Sequence, residues 1–392
     1  MQRCIKCNAV DGLIKSGKVR HLQRFYCKKC DYHFTLKGND KVKLKHTSQI
    51  TIKDLARLLG YSTSTISRAL NRNSDINTTT RNIIIQKAND LGYKPNFLAR
   101  SLIKGKTLTI GIIVPNVELP FFATVLAKIQ EIALNTGYRI IVCHSCESEN
   151  FEILNAETLI SCHVDGLLVS HCKETTSFSH IEQVLQNNIP LVQFDRVCYQ
   201  INTPKVIHQD VHGSYLLIEH LIQQGCKKIG IMLGPASFSI SQLRLEGCKR
   251  ALASYGIELD ERYIYYSNIN KGEGKYVLDY FLNLPQPPDG IFSIISRSCI
   301  EMMVEAKKRN IKIPEELAFV AFGDELLAEL FEPSLTVFNH FPAKVGKAAI
   351  EMLMDFINQP DHFAPVIETI QGELIIRKSS LKNMLTVQYQ RI

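Results

Sequence analysis

The feature of this sequence that most restricts its fold is the alternation, from Thr107 onward, of short apolar segments with longer amphipathic ones. The apolar segments have the length of buried strands, and the segments between them carry apolar residues at helical spacing. Such alternation predicts parallel sheets with helices on both faces. The predicted strands are 108–114, 139–144, 166–170, 191–194, 228–233, 290–294 and 317–322, and the predicted helices include 122–135, 213–224, 243–255 and 300–310.

The charge of the chain divides it into two parts. Residues 1–106 contain 22 Lys and Arg, six Asp and no Glu, a net charge of +16, whereas residues 107–392 contain 24 basic and 32 acidic residues, a net charge of −8. A basic segment of this density repels itself unless a polyanion is near, and DNA carries about one negative charge per 1.7 Å of axis. We therefore expect nucleic acid as a partner, although a solvated basic surface is the alternative.

Several classes of protein are excluded by what the sequence lacks. No apolar run approaches the roughly 18 residues of a membrane span, and the first 30 residues are basic where a signal peptide would be apolar. We therefore expect a cytosolic protein without membrane contacts. P-loop, GxSxG and HExxH motifs are also missing, and single histidines such as His144 and His171 are more often structural than catalytic, so we do not expect an enzyme.

Two CxxC pairs lie near the start of the chain. Cys4 and Cys7 form the first, Cys27 and Cys30 form the second, and 19 residues separate the pairs, a spacing typical of tetrahedral zinc sites. A segment this short with few large apolar side chains buries too little surface to fold alone, so a structural Zn²⁺ would supply the folding free energy. We predict a Cys4 zinc ribbon over residues 1–37.

The residues between and within these pairs are rich in Lys and Arg. The pattern CxxC…KSGKxRxxQRFxCKxCxxxF resembles the zinc ribbon of certain insertion-sequence transposases over about residues 4–34, where the ribbon belongs to the DNA-binding part. The resemblance implies that this ribbon contacts DNA, with protein docking and metal sensing as alternatives. His33 is an alternative ligand, whereas a further CxxC at Cys143 and Cys146 lacks a partner pair.

A second DNA-binding element follows the ribbon. Residues 38–50 are polar and Lys-rich and predict a linker, and residues 51–95 then carry three runs of helical spacing. Two short helices joined by a Gly-containing turn, with a third packed behind them, are a helix-turn-helix domain. The predicted caps and stops are Thr51, Asp54 and Gly60 for the first helix, Ser62 for the second, and Asn77 or Thr78 with Gly92 for the third.

The run TIKDLARLLGYSTSTISRALNRNSDINTTTRNIIIQKANDLGYKPNFLARSLIKGKTLTIGIIVPN resembles the start of LacI-family transcription regulators, and the resemblance continues to about residue 380. It implies that the second helix enters the major groove and that Thr63, Ser64 and Arg68 contact base edges. Arg68 can bind a guanine edge through two hydrogen bonds, while a phosphate contact is its alternative role. Thr65 and Asn71 are expected at phosphates or helix caps.

Residues 96–106 resemble the hinge helix of that family, which orders on DNA beside its twin and inserts a leucine into the minor groove. The implied contact residues are Asn96, Ala99 and Leu102, with Leu102 as the wedge. An apolar wedge of this kind works only in a dimer on a two-fold double-stranded operator. We therefore expect a homodimer.

The resemblance implies that residues 107–382 form an effector-binding and dimerisation domain of two α/β subdomains, like a periplasmic binding protein, joined by three crossings around a ligand cleft. Residues 383–392 would be a tail, too short for a tetramer helix. The implied effector contacts are Phe121, Ser170, Asp195, His208, Arg244, Arg297 and His340.

Two departures from the family pattern concern the effector. Ser296-Arg297 stands where relatives carry Asn-Asp, and Ala321-Phe322-Gly323-Asp324 stands where they carry Gly-Phe-Asp-Asp. Both changes make the cleft more positive, which favours an anionic effector such as a sugar acid or a phosphorylated sugar. We thus predict a repressor controlled by a small molecule; the alternative is a zinc-ribbon DNA-binding protein whose effector site has decayed and which a partner or a metal regulates.

Overall fold

The structure is a computed structural model that describes residues 3, 4, 6, 7, 9–19, 22–35, 50–71, 75–94, 106–323, 326–360 and 364–382. The chain divides into two compact units, Met1–Phe97 and Leu98–Ile392. Among the described residues, no helix is long and apolar enough to cross a membrane. Almost all of the predicted linker 38–50, the predicted hinge helix up to residue 105, and the predicted tail 383–392 lie outside the described residues.

The N-terminal part of the first unit is an antiparallel sheet of the strands β1 (Leu13–Val19), β2 (Leu22–Cys27) and β3 (Tyr32–Thr35), in that order. Phe25 and Phe34 are cross-strand partners, and their ring centroids lie 5.9 Å apart. These rings and the buried Cys4 and Cys27 make up most of a very small core. So little buried apolar area requires a further cross-link for stability.

Three helices follow in the same unit: α1 (Ile52–Leu59), α2 (Thr63–Leu70) and α3 (Thr78–Asp90). Their apolar faces pack together around Leu55, Ile66 and Ile84. Gly60 ends α1 in a left-handed conformation (φ 72°), which glycine adopts without strain. The predicted N-terminal caps are confirmed: Thr51 and Asp54 form a capping box, Ser62 accepts the Thr65 N–H, and Asn77 accepts the Thr79 N–H.

The second unit contains two six-stranded sheets, and the first of them has the strand order β14-β8-β7-β6-β4-β5. Helices cover both faces, so the central strands of this sheet are buried along their whole length, as expected for a parallel sheet. Its strands are β4 (Thr109–Val114), β5 (Arg139–His144), β6 (Gly166–Val169), β7 (Leu191–Phe194), β8 (Lys205–His208) and β14 (Ile367–Ile370), and its helices are α4 (Pro120–Asn135), α5 (Glu149–Ser161), α6 (Ser179–Gln186) and α12 (Pro342–Asn358).

The other sheet has the order β10-β9-β11-β12-β13-β15, and only its edge strand β15 is antiparallel. Helices α7 and α8 pack on one face, and α9, α10 and α11 on the other. The strands are β9 (Ile229–Leu233), β10 (Ile264–Tyr266), β11 (Gly290–Ser293), β12 (Ala318–Phe322), β13 (Thr336–Asn339) and β15 (Glu373–Ile375), and the helices are α7 (Asp210–Gln223), α8 (Ser239–Ser254), α9 (Gly274–Leu282), α10 (Ser296–Lys308) and α11 (Leu326–Leu330), with a 3₁₀ helix at Glu261–Tyr263.

The chain passes between the two sheets three times, after β8, after β13 and after β14. Because of the second crossing, α12 lies late in the sequence but packs in the core of the first subdomain with α4. The predicted α/β body with two subdomains is confirmed, and the predicted strands agree with the observed ones to within about two residues. Strands β8, β10 and β13 to β15, each three or four residues long, were not among the predicted elements.

Candidate DNA-binding and effector-binding sites

The outer face of α2 carries the side chains expected to read DNA. Thr63, Ser64 and Arg68 are exposed, whereas Ile66 and Ala69 on the other side of the helix are buried against α1 and α3. The major groove of B-DNA admits one α-helix. The packing therefore leaves the polar side of α2 available to a major groove.

The remaining predicted DNA contacts have different surroundings. Thr65 takes part in the cap of α2, since its N–H and its hydroxyl both bond to Ser62 Oγ, at 3.1 and 2.8 Å. Asn71 ends α2, and its N–H donates to the Ser67 carbonyl. Both positions agree with the expected capping role. The predicted hinge contacts Asn96, Ala99 and Leu102 lie outside the described residues.

Arg68 forms an ion pair in this structure. Its Nη1 lies 3.1 Å from Asp75 Oδ2, and both side chains are at least half exposed. Exposed pairs of this kind contribute less than about 1 kcal/mol. Arg68 can therefore leave Asp75 at little cost when a guanine edge or a phosphate is offered.

The four N-terminal cysteines converge on one point. Cys4 Sγ lies 3.6 Å from Cys30 Sγ, Cys7 Sγ lies 3.7 Å from Cys27 Sγ, and all four sulfurs lie within 4.8 Å of one another. A disulfide would bring a pair to about 2.05 Å, whereas Zn–S bonds of about 2.3 Å in a tetrahedron place sulfurs about 3.8 Å apart. The Lys6 backbone N–H also donates to Cys4 Sγ. The donor set and its spacing therefore fit zinc.

Other side chains of the sheet lie around this cluster. His33, the alternative ligand, bonds through Nδ1 to Ser16 Oγ at 3.2 Å and contacts the Tyr26 ring, so it is not part of the cluster. Lys28 and Lys29, in the second knuckle, are exposed. The sheet therefore presents positive charge beside the cysteines.

A cavity of about 590 Å³ lies between the two subdomains, and this volume includes the space at its open mouth. The first subdomain contributes the start of α4 and the residues after β7, and the second contributes α8 and the residues after β11 and β12. Four predicted effector contacts line it: Phe121, Asp195, Arg244 and His340. The other lining residues are Leu119, Phe122, Arg196, Phe238, Ile240, Ile269, Ile294, Ile295, Ser296, Phe322 and Gly323.

Both arginines of the cavity are already paired with carboxylates. Arg244 Nε donates to Asp210 Oδ1 at 2.8 Å, its Nη1 donates to a backbone carbonyl, and its guanidinium lies 3.6 Å over the Phe322 ring. Arg196 Nη1 lies 2.8 Å from both carboxylate oxygens of Glu147. The positive charge of each guanidinium is therefore balanced within the protein.

Two polar atoms of the cavity wall lack partners. His340 Nδ1 and Ser296 Oγ are buried without a hydrogen bond among the described residues. Burial, together with the neighbouring His208 and Arg244, holds the pKa of His340 well below its usual value, so its ring is neutral near pH 7. A neutral imidazole and a hydroxyl recognise hydroxyl or N–H groups. The Phe121 ring stacks on His340 at 4.8 Å and closes one side of the site.

Three predicted effector contacts do not line the cavity. His208 lies directly behind the wall, with Nε2 3.1 Å from Asp195 Oδ1. Ser170 is buried at the end of β6 and faces elsewhere. Arg297 donates from Nη2 to the Ile269 carbonyl at 2.8 Å, so it supports a lining segment instead of contacting the cavity.

Most of the apolar residues that line the cavity were not predicted from the sequence. Phe238 and Ile240 enter the cavity from the start of α8, and the guanidinium of Arg196 lies 4.8 Å over the Phe238 ring. The available signal was weak, because both residues sit in a loop-to-helix junction that has no strand or helix periodicity of its own. Asp324, one of the residues in the noted departures, lies outside the described residues.

Comparison with known proteins agrees with this geometry. Residues 51–96 match the bacterial regulatory proteins of the lacI family, and residues 218–380 match a periplasmic binding protein-like domain. The ribose operon repressor of Haemophilus influenzae is 30% identical over 311 residues, which cover 79% of this chain and 93% of that protein. The HTH-type transcriptional repressor CytR of Escherichia coli K12 is 28% identical over 336 residues, which cover 86% and 98%.

Solved structures show the same fold. The lac repressor dimer bound to operator and the anti-inducer ONPF superimposes with a TM-score of 0.76 at 21% identity, covering 85% of this chain and all of that one. A regulator of Alkaliphilus metalliredigens complexed with D-xylulofuranose has a TM-score of 0.60 at 26% identity and covers 69% and 98%.

The helix-turn-helix and the cleft together define a DNA-binding regulator controlled by a ligand. The chain belongs to the lacI family of bacterial regulatory proteins. It is a transcriptional repressor and not an enzyme, as expected, since its relatives are transcriptional repressors.

Proposed function

We propose that this repressor reads its operator through Thr63, Ser64 and Arg68 of α2 and that Arg68 supplies most of the base discrimination. One observation supports this proposal. These polar side chains are exposed, whereas Ile66 and Ala69 on the other face of the helix are buried in the core of the domain. Short hydroxyl side chains discriminate weakly, whereas an arginine can bind guanine O6 and N7 together. Asn96, Ala99 and Leu102 of the hinge would add minor-groove contacts.

Selection of genomic DNA fragments by the purified full-length protein tests this assignment. We expect enrichment of a palindrome by the wild type, and loss of preference at one base pair per half-site with Arg68→Ala. Arg57→Ala, which changes an exposed arginine on α1, serves as the matched control. Enrichment of the same palindrome with the same base preferences by Arg68→Ala would contradict the assignment.

We further propose that Cys4, Cys7, Cys27 and Cys30 bind a structural Zn²⁺ and that the resulting ribbon adds DNA contacts beside the operator palindrome. The sulfur spacing supports the metal, and the small core of the sheet explains the need for it. The exposed Lys28 supports the contact with DNA, because basic groups near phosphates add affinity. Docking of a protein partner and metal sensing are the competing roles.

The full-length Cys7→Ser/Cys30→Ser variant separates these roles. This variant should bind one zinc ion fewer per chain. The DNA that it selects should keep the central palindrome but lack the flanking element. Cys162→Ser, at an exposed cysteine of the body, is the control. An unchanged selected sequence would assign the ribbon to a partner or to metal sensing, and unchanged zinc content would contradict the zinc site.

The effector that fits the cavity best is a small hydroxylated ring compound. The unpaired Ser296 hydroxyl and His340 Nδ1 would bond its hydroxyl groups, and the Phe121 and Phe238 rings would cover its apolar faces. The sugar acid or phosphorylated sugar expected from the sequence would have to draw Arg244 from Asp210 or Arg196 from Glu147. The retained cavity argues against a decayed site regulated only by a partner or a metal.

Calorimetric titration with matched pairs decides the charge of the effector. Glucose and glucose 6-phosphate, or glucose and glucuronate, share the same pyranose ring and differ in the anionic group at C6. Preferential binding of the neutral member, lost in Ser296→Ala, is expected from the geometry. Preferential binding of the anion would support the sequence-based expectation instead.

We also infer a homodimer. Leu326, Leu327 and Leu330 on α11 are each more than 60% exposed, and Tyr276 on α9, which packs on the same face of the second sheet, is exposed to a similar degree. Apolar side chains in such a group are typical of the core of a protein interface. A second copy of this chain would cover this apolar surface, because a two-fold operator requires a two-fold dimer.

A further inference from the structure

Glu152, His171 and His180 meet inside the first subdomain, and none of them lines the cleft. They come from three different segments: α5, the residues after β6, and α6. Glu152 Oε1 lies 2.7 Å from His171 Nδ1 and 3.0 Å from His180 Nε2. All three side chains are at least 95% buried. Two imidazole nitrogens thus converge on a single carboxylate oxygen.

Gln193 determines the protonation of His171. The Gln193 Oε1 atom accepts the Cys198 backbone N–H at 2.6 Å, and its Nε2 atom donates to Thr203 Oγ1 at 2.6 Å and toward the Cys198 carbonyl at 3.3 Å. These backbone partners fix the amide orientation. His171 Nε2 lies 3.0 Å from that same Oε1 and must therefore carry a hydrogen.

The other nitrogen of His171 then needs a positive charge beside it. If Nε2 carries the only ring hydrogen, Nδ1 directs a lone pair at Glu152 Oε1 from 2.7 Å, which is repulsive. Either a proton lies between Nδ1 and Oε1, on the imidazole or on the carboxyl group, or a metal ion occupies the space between the ligands. A buried ion pair is stabilised only when its geometry and its remaining hydrogen bonds offset the desolvation cost.

The surroundings of Glu152 and His171 resemble those of metal ligands, whereas His180 Nδ1 has no hydrogen-bond partner among the described residues. Bonds of about 2.0–2.1 Å from one metal to nitrogen and oxygen ligands place those ligands about 2.9–3.4 Å apart. The 3.0 Å separation lies in this range, the 2.7 Å separation lies just below it, and all three ligand atoms lie within 4.8 Å of one another. The Cys172 N–H and the Thr175 hydroxyl bond to Glu152 Oε2 at 2.6 and 3.0 Å. His171 donates its second N–H to Gln193. Ligating histidines and carboxylates in proteins have outer partners of this kind.

We propose that Glu152 Oε1, His171 Nδ1 and His180 Nε2 bind a divalent transition metal, with Zn²⁺ as the ion that best suits two imidazoles and one carboxylate. The ion joins α5, α6 and the end of β6. It also fixes the segment that carries Lys173, whose Nζ reaches the second subdomain at the Asn268 carbonyl, 2.9 Å away. The metal therefore stabilises the contact that Lys173 makes between the two subdomains.

The test is the metal content of full-length protein purified with zinc and dialysed without chelator. The cysteine cluster and this site predict two zinc ions per chain for the wild type, one for Cys7→Ser/Cys30→Ser and one for His180→Gln. His220→Gln is the matched control, because His220 is also a buried histidine but bonds to Ser380. It should retain both ions. Equal zinc content in His180→Gln and the wild type would overturn the proposal.

A second measurement avoids any variant of the cluster. Co²⁺ added to the metal-free Cys7→Ser/Cys30→Ser protein should give visible absorption bands at one equivalent, without the thiolate-to-cobalt charge-transfer band in the near ultraviolet. Absence of stoichiometric cobalt bands would show that the three side chains hold a proton and not a metal. Failure of the ribbon to bind zinc leaves this result unaffected.

Discussion

At the scale of single residues, the ion pair of Arg68 and Asp75 leads to a prediction about DNA binding. Arg68→Ala should reduce the discrimination between the operator and a single-base variant by about 1–3 kcal/mol, because the two hydrogen bonds to a guanine edge are lost. Asp75→Asn should instead raise affinity for all duplexes by about 2-fold to 5-fold, since it releases Arg68 and removes a negative charge near phosphates.

Fluorescence anisotropy with labelled operator and variant duplexes measures both effects at one salt concentration. Asp90→Asn, at an exposed acid near the end of α3, controls for the change in net charge. If Asp75→Asn raised the affinity no more than Asp90→Asn, the ion pair would not restrain Arg68.

Residue positions in the cleft could be predicted only in part. Phe121, Asp195, Arg244 and His340 line the cavity as the family resemblance implied, and three of them follow a strand or begin a helix at the gap between the sheets. The pairing of Arg244 with Asp210 was not predictable, because it joins α8 to α7 through side-chain directions that no local pattern encodes. The Glu152 cluster was missed for the same reason.

At the scale of secondary structure, the cap of α1 should be worth about 1 kcal/mol to the helix-turn-helix domain. Thr51 Oγ1 accepts the Asp54 N–H and donates to the Asp54 carboxylate, so Thr51→Ala removes both of these side-chain bonds, while the backbone N–H of residue 51 can still donate to that carboxylate. Hydrogen exchange of α1 amides reports the loss. Thr79→Ala, at an exposed threonine of α3, should cost less; equal costs would contradict the role of the box.

Helix α7 should make the stability of the body depend on pH. Burial lowers the pKa of His220 from 6.5 to about 4, and its Nε2 bonds to Ser380 Oγ at 2.8 Å. The unfolded chain therefore binds a proton at a higher pH than the folded one does. The resulting stability is complete above about pH 6.5 and is lost as the pH falls toward 4, by about 3 kcal/mol in total.

Urea unfolding at a series of pH values from about 7.5 to about 5 measures the contribution of His220 to the free energy of unfolding. His220→Gln should flatten the slope of the unfolding free energy below pH 6.5, whereas His212→Gln, at an exposed histidine of the same helix, should leave it unchanged. Equal slopes in the wild type and His220→Gln would show that another group is responsible.

At the scale of the whole molecule, the order of domains could be predicted because each part has a different sequence signal: cysteine spacing, caps with helical spacing, and strand–helix alternation. The exchange of elements between the two sheets could not be predicted from those patterns. Strand β14 and helix α12 follow β13 in sequence yet belong to the first subdomain, and β15 returns to the second. Only long-range packing decides such crossings.

The exposed leucines of α11 lead to the last prediction. Leu327→Glu/Leu330→Glu should convert the dimer to a monomer, because a two-fold interface would bury four new carboxylates in its apolar core. Sedimentation velocity at micromolar concentration measures the oligomeric state. Loss of the dimer should lower the affinity for a palindromic operator by at least 10-fold, because each half-site would then be bound independently. The affinity for a single half-site should stay the same.

Tyr255→Glu is the matched control for this double variant. Tyr255 is also an exposed apolar residue, but it ends α8 on the opposite face of the second sheet from α11. It should leave the dimer and operator affinity unchanged. A Leu327→Glu/Leu330→Glu protein that remained dimeric would place the interface elsewhere, and a monomer that kept full affinity for the palindrome would show that dimerisation does not couple the two half-sites.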